Sequence, residues 1–330
     1  MYTLGIETSC DETSCAILKD REVLSNITLS SLKEHKKYGG VVPEIATRAH
    51  LKNIDKVLTV ALRRAKVSLG KIDLVAVVYK PGLVGALLVG VNFVKALSIA
   101  INKPFVGVSH LYAHLFSPFL NNSQRLKFPF LGVVISGGHT EIYRVDNFDK
   151  IKILGQTLDD ACGEVFDKVA KAYNLGYPGG PVIDSLFKDS YKKEFPFKCG
   201  KKEFNLSFSG LKTALIYKKK ELEQKRKFNL KTKIKLISSF QYTAIEAIVA
   251  TILEAKDRLK INRILCGGGV VANQYLRKRL KEEAKKTRLS LYISPKEFSG
   301  DNAAMVAGLG FYLYNEKEVK SSIDLKVEAN

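Results

Sequence analysis

Apolar residues recur in short alternating runs at positions 2–7, 13–18 and 23–29, separated by polar turns at 9–12 and 19–22. A period of two broken by turn residues predicts a tight β-meander. Pro43 then opens a stretch to about Lys66 in which Ile54, Val57, Leu58, Ala61 and Leu62 fall at helical spacing. Residues 73–79 read as a short buried strand, Pro81-Gly82 as a break, and 83–101 as an apolar helix. A further strand at 104–108 leads into a helix carrying His110 and His114. At Pro129 the pattern restarts, with strands at 130–135 and 141–145 around the turn Ser136-Gly137-Gly138-His139. Residues 4–18 and 131–145 share the order strand, small polar turn, strand. That suggests duplicated lobes facing each other across a central cleft, although any two hairpins look alike at this level.

The second half predicts a helix at 158–173, a break at 176–181, and a basic stretch at 188–235 with a loop at 204–210. A long helix follows at 231–256, then a strand at 263–266 ending in Gly267-Gly268-Gly269. A basic helix at 271–286, a strand at 289–293 and a last helix from Asp301 complete the pattern. The expected division is a first lobe at 1–129, with 300–330 packing back on it, and a second at 130–299 with a basic helical insertion at 188–235. The class is α/β.

Composition narrows this further. At 330 residues and 46% hydrophobic, the chain exceeds what one core usually organises. No basic start precedes an apolar run at the N-terminus, so a secretory signal is not expected. The most membrane-like segment, 83–101, is interrupted by Asn92, Lys95 and Ser98, punctuated by Gly85 and Gly90 and preceded by Gly82, and reads as a buried core helix. Five scattered cysteines without a Cys-x-x-Cys pair make neither a disulfide framework nor a zinc ribbon, which fits the cytoplasm. The net charge is +20, and residues 188–235 hold 16 Lys+Arg against 5 Asp+Glu, a net of +11. Such a basic stretch suits a phosphate backbone or forms ordinary solvated helix faces; charge alone does not choose.

His110 and His114 stand four apart, so a helix places both imidazoles on one face, where they can grip one metal ion. Two incidental histidines on an amphipathic helix are the commoner origin of such spacing. Asp301 can complete a His₂-carboxylate set, act as N-cap of the helix from Asn302, or do both. Leu111 occupies the position where a metallopeptidase needs its general-base Glu. The turns at Ser136-Gly137-Gly138 and Gly267-Gly268-Gly269 follow apolar strands and can bring backbone N–H groups close to phosphate, or can be plain turns. Asn273, just inside the following helix, can bond a ribose or base, and Asp167, Gly180 and Asp184 bracket a rigid Pro-Gly-Gly-Pro turn. Asp11 and Glu12 share a polar turn with Ser9 and Thr13, able to accept a proton or merely close a hairpin.

Together these segments resemble the tRNA N6-adenosine threonylcarbamoyltransferase family, bacterial type, formerly described as O-sialoglycoprotein endopeptidases. The resemblance is carried by LGIETSCDET at 4–13, GGVVPE at 39–44, PGLVGALLVG at 81–90 and the pair His110/His114. It continues with SGGHT at 136–140, DDACGE at 159–164 with Asp167, YPGGP at 177–181 and FSGLKT at 208–213. GGGV at 267–270 with Asn273, and Asp301-Asn302, complete it. It implies an actin-like, Hsp70-like ATPase-type fold of two lobes. It also implies metal-assisted transfer of a threonylcarbamoyl group from threonylcarbamoyl-AMP to N6 of adenosine 37, just 3′ of the anticodon, in tRNAs reading codons that begin with A. His110, His114 and Asp301 would bind Fe²⁺, or Zn²⁺. Val134, Ile135, Ser136, Gly137, Gly138, Asp167, Gly180, Asp184 and Asn273 would bind the adenylate, and Asp11 or Glu12 would accept a proton or order the site. A paralogous subunit of the same fold and a small ATPase are the implied partners, with no membrane. Lys218, Lys219 and Lys220 are candidate tRNA contacts.

Lys80 departs from the pattern where a glycine usually precedes Pro81, and either touches substrate or covers the cleft edge. Cys162 reads as a small buried hydrophobe. Competing readings are a metal-dependent (glyco)protease, which Leu111 disfavours, and an ATPase or non-catalytic paralogue, which the histidine pair disfavours.

Overall fold

A computed structural model of the chain describes residues 1–122 and 126–329. It divides into two compact units, Met1–Leu126 with Glu297–Asn330, and Lys127–Lys296.

The first unit opens with β1 (Tyr2–Glu7), β2 (Glu12–Lys19) and β3 (Glu22–Ser30). The short helix α1 (Leu32–His35) and the long α2 (Pro43–Ala65) follow. Next come β4 (Leu74–Lys80), α3 (Val84–Ile101), β5 (Phe105–Ser109) and α4 (His110–Phe116). The sheet order is β3-β2-β1-β4-β5, antiparallel through the meander and parallel from β1 to β4 to β5.

The second unit repeats that plan with β6 (Phe130–Ile135), β7 (Thr140–Asn147) and β8 (Lys150–Gln156). Helices α5 (Cys162–Ala172) and α6 (Gly179–Leu186) precede a hairpin of β9 (Gly200–Lys202) and β10 (Asn205–Ser207). Then come α7 (Ser209–Gln224), α8 (Leu230–Leu259), β11 (Arg263–Gly267), α9 (Gln274–Thr287) and β12 (Ser290–Ile293). Its sheet, β8-β7-β6-β11-β12, has the same order and the same pairing senses as the first. The repeated hairpin is therefore part of a repeated five-stranded unit. The chain returns to the first unit as α10 (Ala303–Lys317).

In the first unit, Leu4 and Ile6 of β1 join Val75 and Val77 of β4 and the inner faces of α2 and α3 in one buried cluster. Gly5, pointing the other way, lies under α10. A Cβ there would sit 2.3 Å from the Ala303 carbonyl oxygen and 2.8 Å from the Ala307 nitrogen. Both obstacles are backbone, so Gly5→Ala must displace α10 from the sheet. We expect it to cost about 1–3 kcal/mol, read as a lowered melting transition. Wild-type stability would show that α10 yields freely.

Several elements differ from expectation. The strand β8 carries no clear alternation because its residues are mostly exposed. The loop expected at 204–210 is β10 and the first turn of α7. Asp159 organises this, its Oδ1 accepting from the backbone N–H groups of Phe208 (2.8 Å) and Ser209 (3.2 Å). Asp160 pairs with Lys168 and Lys212. The DDACGE and FSGLKT motifs thus hold each other. The helix expected from residue 158 starts only at Cys162, after a turn closed by Thr157 Oγ1 on the Asp160 carbonyl (2.6 Å). Cys162 is fully buried. The Lys80 ammonium pairs with Glu328 (2.8 Å), in a C-terminal segment where the Glu328 N–H bonds the Tyr79 carbonyl.

Among the described residues, two helices are long and apolar enough to cross a membrane, α3 and α8. α8 is largely buried in the second unit's core. α3 is not the fully buried helix expected. Ala86, Leu87, Gly90, Val91 and Val94 face inward, while Val84, Leu88 and Ile99 are exposed.

Candidate metal centre and nucleotide pocket

α4 begins directly after β5, so His110 and His114 lie one turn apart with both rings buried. Their ring centroids are 4.6 Å apart. Asp301 comes from the segment leading into α10. Its Oδ1 lies 3.1 Å from His114 Nε2 and 3.5 Å from His110 Nε2. One ligand atom from each of the three residues falls within 4.8 Å of the others. Asp301 is not the helix cap: Asn302 takes that place, its side chain accepting from the Met305 N–H at 3.1 Å. The division of labour leaves the Asp301 carboxylate turned to the histidines.

The donor set suits a divalent transition metal. Two imidazoles and one carboxylate on one side are the ligands iron(II) and zinc accept, with positions left for substrate. Among the described residues, His114 Nδ1 is buried with no hydrogen-bond partner, so the side chains there do not use up this ring's capacity. Burial disfavours the charged form of His110, but Asp301 and then Glu7 outweigh it and carry the ring up to about 9. Burial pushes His114 down.

The turn holding Asp11 and Glu12 belongs to the same unit. Ser30 Oγ bonds Glu12 at 3.1 Å and Asp11 at 3.5 Å. Burial first, then the charges of Asp301 and Asp11, push Glu12 up to about 10. Two buried histidines bolt the turn down. His50 Nε2 donates to the Cys10 carbonyl (3.0 Å) and its Nδ1 accepts from Thr13 Oγ1 (2.9 Å). His35 Nδ1 accepts from the Val42 N–H (3.2 Å), so its Nε2 donates to Ser31 Oγ (3.0 Å), which itself bonds the Asp11 carbonyl (2.9 Å).

The second unit contains a cavity of about 460 Å³ lined by Gly137, Gly163, Phe166, Asp167, Pro178, Gly180, Pro181, Asp184, Gly269, Val270, Ala272, Asn273, Gln274 and Lys296. That size fits a small molecule, and the mix of apolar walls with a few polar groups is the usual build of such sites. Asp167 Oδ1 accepts from the Gly179 N–H at 2.6 Å, although burial still pushes its carboxyl up. Asp184 accepts from Gln241 (3.1 Å) and from the Gln274 N–H (3.0 Å). Asn273 is not inside α9 as expected; it caps it, accepting from the Leu276 N–H at 2.9 Å.

The glycines here are of two kinds. A Cβ on Gly268, whose φ is +98°, would lie 2.4 Å from the Ile135 carbonyl oxygen, so packing demands that glycine. A Cβ on Gly137, Gly138, Gly180 or Gly269 would meet nothing within 4 Å. The chain's own packing does not require these four, and three of them line the cavity. Val134 and Ile135 are buried in β6, and Ser136 closes the turn by accepting from the His139 N–H (3.1 Å).

The basic stretch forms the β9–β10 hairpin, α7 and the start of α8. Lys218 pairs with Glu221 and Lys219 with Glu223, and the Lys219 ammonium lies 5.6 Å above the rings of Tyr173 and Phe228. Lys220 is exposed. Sequence reasoning placed Ser9 in the polar turn but missed Glu7, His35 and His50 around the first site. A charged residue closing an otherwise apolar central strand was the available signal for Glu7.

The family profile described as TsaD, tRNA N6-adenosine threonylcarbamoyltransferase, matches residues 22–308. The tRNA N6-adenosine threonylcarbamoyltransferase of Thermosipho africanus is 46% identical over 333 residues, covering 100% of this chain and 99% of its own length. That of Protochlamydia amoebophila is 45% identical, covering 99% and 96%. Among solved structures, full-length HypF in its phosphate- and nucleotide-bound form aligns with a TM-score of 0.62 at 14% identity, over 96% of this chain and 56% of HypF. Component A of the Acidaminococcus fermentans (R)-2-hydroxyglutaryl-CoA dehydratase aligns at 0.53 and 15% identity, over 94% and 98%. At such identities these two speak for the fold alone, and the fold is the actin-like ATPase type. The full-length matches decide the rest: this chain belongs to the tRNA N6-adenosine threonylcarbamoyltransferase family, enzymes that modify tRNA.

Proposed function

We propose that the chain acts in the cytoplasm, transferring a threonylcarbamoyl group from threonylcarbamoyl-AMP to N6 of adenosine 37 in tRNAs reading codons that begin with A. The observation that carries this reading is the convergence of His110, His114 and Asp301 on one point. These residues would hold Fe²⁺ or Zn²⁺, with Asp11 and Glu12 ordering the turn beside them. The ion, when bound, supplies Lewis-acid polarisation of a carbonyl and offsets charge on a leaving phosphate. The cavity in the second unit would hold the adenylate, with Asp167, Asp184 and Asn273 as its polar groups and Gly137 and Gly180 admitting close approach.

An exocyclic adenine amine is a weak nucleophile, so binding and orientation supply much of the rate. The basic residues of 188–235 offer the tRNA its phosphate contacts. Lys220 is the best single probe there, because Lys219 is committed to its aromatic neighbours. For the paralogous subunit, the outer side of α3, where Val84, Leu88 and Ile99 are exposed, offers an apolar contact surface. The small ATPase remains a partner to be sought by the same assay.

A reconstitution tests the proposal. Metal-loaded chain, a tRNA transcript and chemically prepared threonylcarbamoyl-AMP are combined, with and without the two partners. Mass spectrometry should find threonylcarbamoyladenosine, and a transcript with guanosine at the target position should stay unmodified. No product in any combination, or product on the guanosine transcript, sinks the reading.

A further inference from the structure

We infer that Glu7 is a positioning residue of the metal centre: its carboxylate fixes the His110 ring with the proton on Nδ1, so that Nε2 faces His114 and Asp301. The inference rests on the metal reading proposed above.

Glu7 ends the central strand β1, and its side chain is fully buried. Burying a carboxylate is costly unless its oxygens are bonded. Both are. Oε1 accepts from the Ser9 N–H at 2.6 Å, and Oε2 lies 3.1 Å from His110 Nδ1. An ionised carboxylate only accepts, so the hydrogen between them sits on Nδ1. The other nitrogen, Nε2, is the one 3.5 Å from Asp301. Ser9 is clamped in turn, because its carbonyl accepts from the Leu83 N–H at 2.8 Å, and its Oγ lies 3.1 Å from the same Nδ1. Among the described residues, His114 has no counterpart to this arrangement: its Nδ1 is buried without a partner. The chain therefore sets the tautomer and ring plane of one imidazole and leaves the other to packing. Carboxylates backing a ligand histidine in this way orient it and raise its basicity.

Glu7→Gln is the informative change because it is isosteric but offers one acceptor to two donors. If the amide oxygen serves the Ser9 N–H, the NH₂ faces Nδ1, which must then accept. That moves the ring hydrogen to Nε2 and blocks the ligand atom.

The test measures affinity of the full chain for Zn²⁺ by chelator competition, with Co²⁺ absorption bands as a geometric readout. Glu7→Gln should weaken Zn²⁺ binding by roughly 10–100-fold and shift the Co²⁺ bands, with Ser9→Ala weakening it less. His110→Ala should abolish binding. If the wild type binds, His110→Ala fails and Glu7→Gln binds like the wild type, the role of Glu7 is overturned while the centre stands. A wild type that binds no Zn²⁺ overturns both. Should Glu7→Gln not fold, nitrogen-15 histidine spectra of the Zn²⁺-loaded wild type decide: Nε2 ligation with a hydrogen on Nδ1 supports the inference, and ligation through Nδ1 overturns it.

Discussion

Asp301→Asn is expected to empty the centre of metal and to slow tRNA modification by roughly a thousandfold, about 4 kcal/mol of transition-state stabilisation. The reasoning is local. One oxygen, Oδ1, stands within 3.5 Å of the Nε2 atoms of both histidines. An amide keeps the shape of that group but removes its negative charge, so the two Nε2 atoms lose the anionic oxygen that stands between them. The fold should survive, because the cap of α10 belongs to Asn302 and not to Asp301. Metal content by elemental analysis, thermal unfolding and the modification assay separate these effects. Wild-type metal content in Asp301→Asn would remove Asp301 from the ligand set, whatever the activity.

Gly180→Val should produce the opposite profile: a fold and metal content like the wild type, with adenylate binding weakened by at least roughly tenfold, about 1.4 kcal/mol. Gly180 sits in the first turn of α6 and lines the cavity, and a Cβ there would touch nothing of the protein within 4 Å. The added methyl groups fill space that only a ligand would use. Gly268→Ala is the internal contrast, since its Cβ would meet the Ile135 carbonyl oxygen at 2.4 Å and its φ is positive. That variant should lose stability. A Gly180→Val protein that binds the adenylate with wild-type affinity would move the ligand out of this cavity.

Local pattern carried much of the architecture. The β-meander, α2, α3 and the restart at Pro129 were legible because each presents a regular apolar period or a Pro/Gly break within a few residues. The spacing of His110 and His114 was likewise local, since four residues on a helix make one face. The resemblance then drew ten separated motifs into one family. Elements with weak periodicity were illegible: β8 is mostly exposed, and β10 with the start of α7 depends on Asp159, some fifty residues away.

What tertiary structure alone decided is which neighbours several polar residues meet. Sequence allowed Asp301 to be a cap, a ligand or both, and Lys80 to be a substrate contact or a cover. The fold gave the cap to Asn302 and tied Lys80 to Glu328. Glu7 shows the limit most clearly, because nothing near it in sequence announces that His110, 103 residues on, will meet its carboxylate. Periodicity records which face of an element is buried; a hydrogen bond between distant elements depends on where the sheet places their ends. The histidine pair was therefore written in the sequence, and the carboxylates that orient it were assigned only when β1, α4 and the start of α10 packed together.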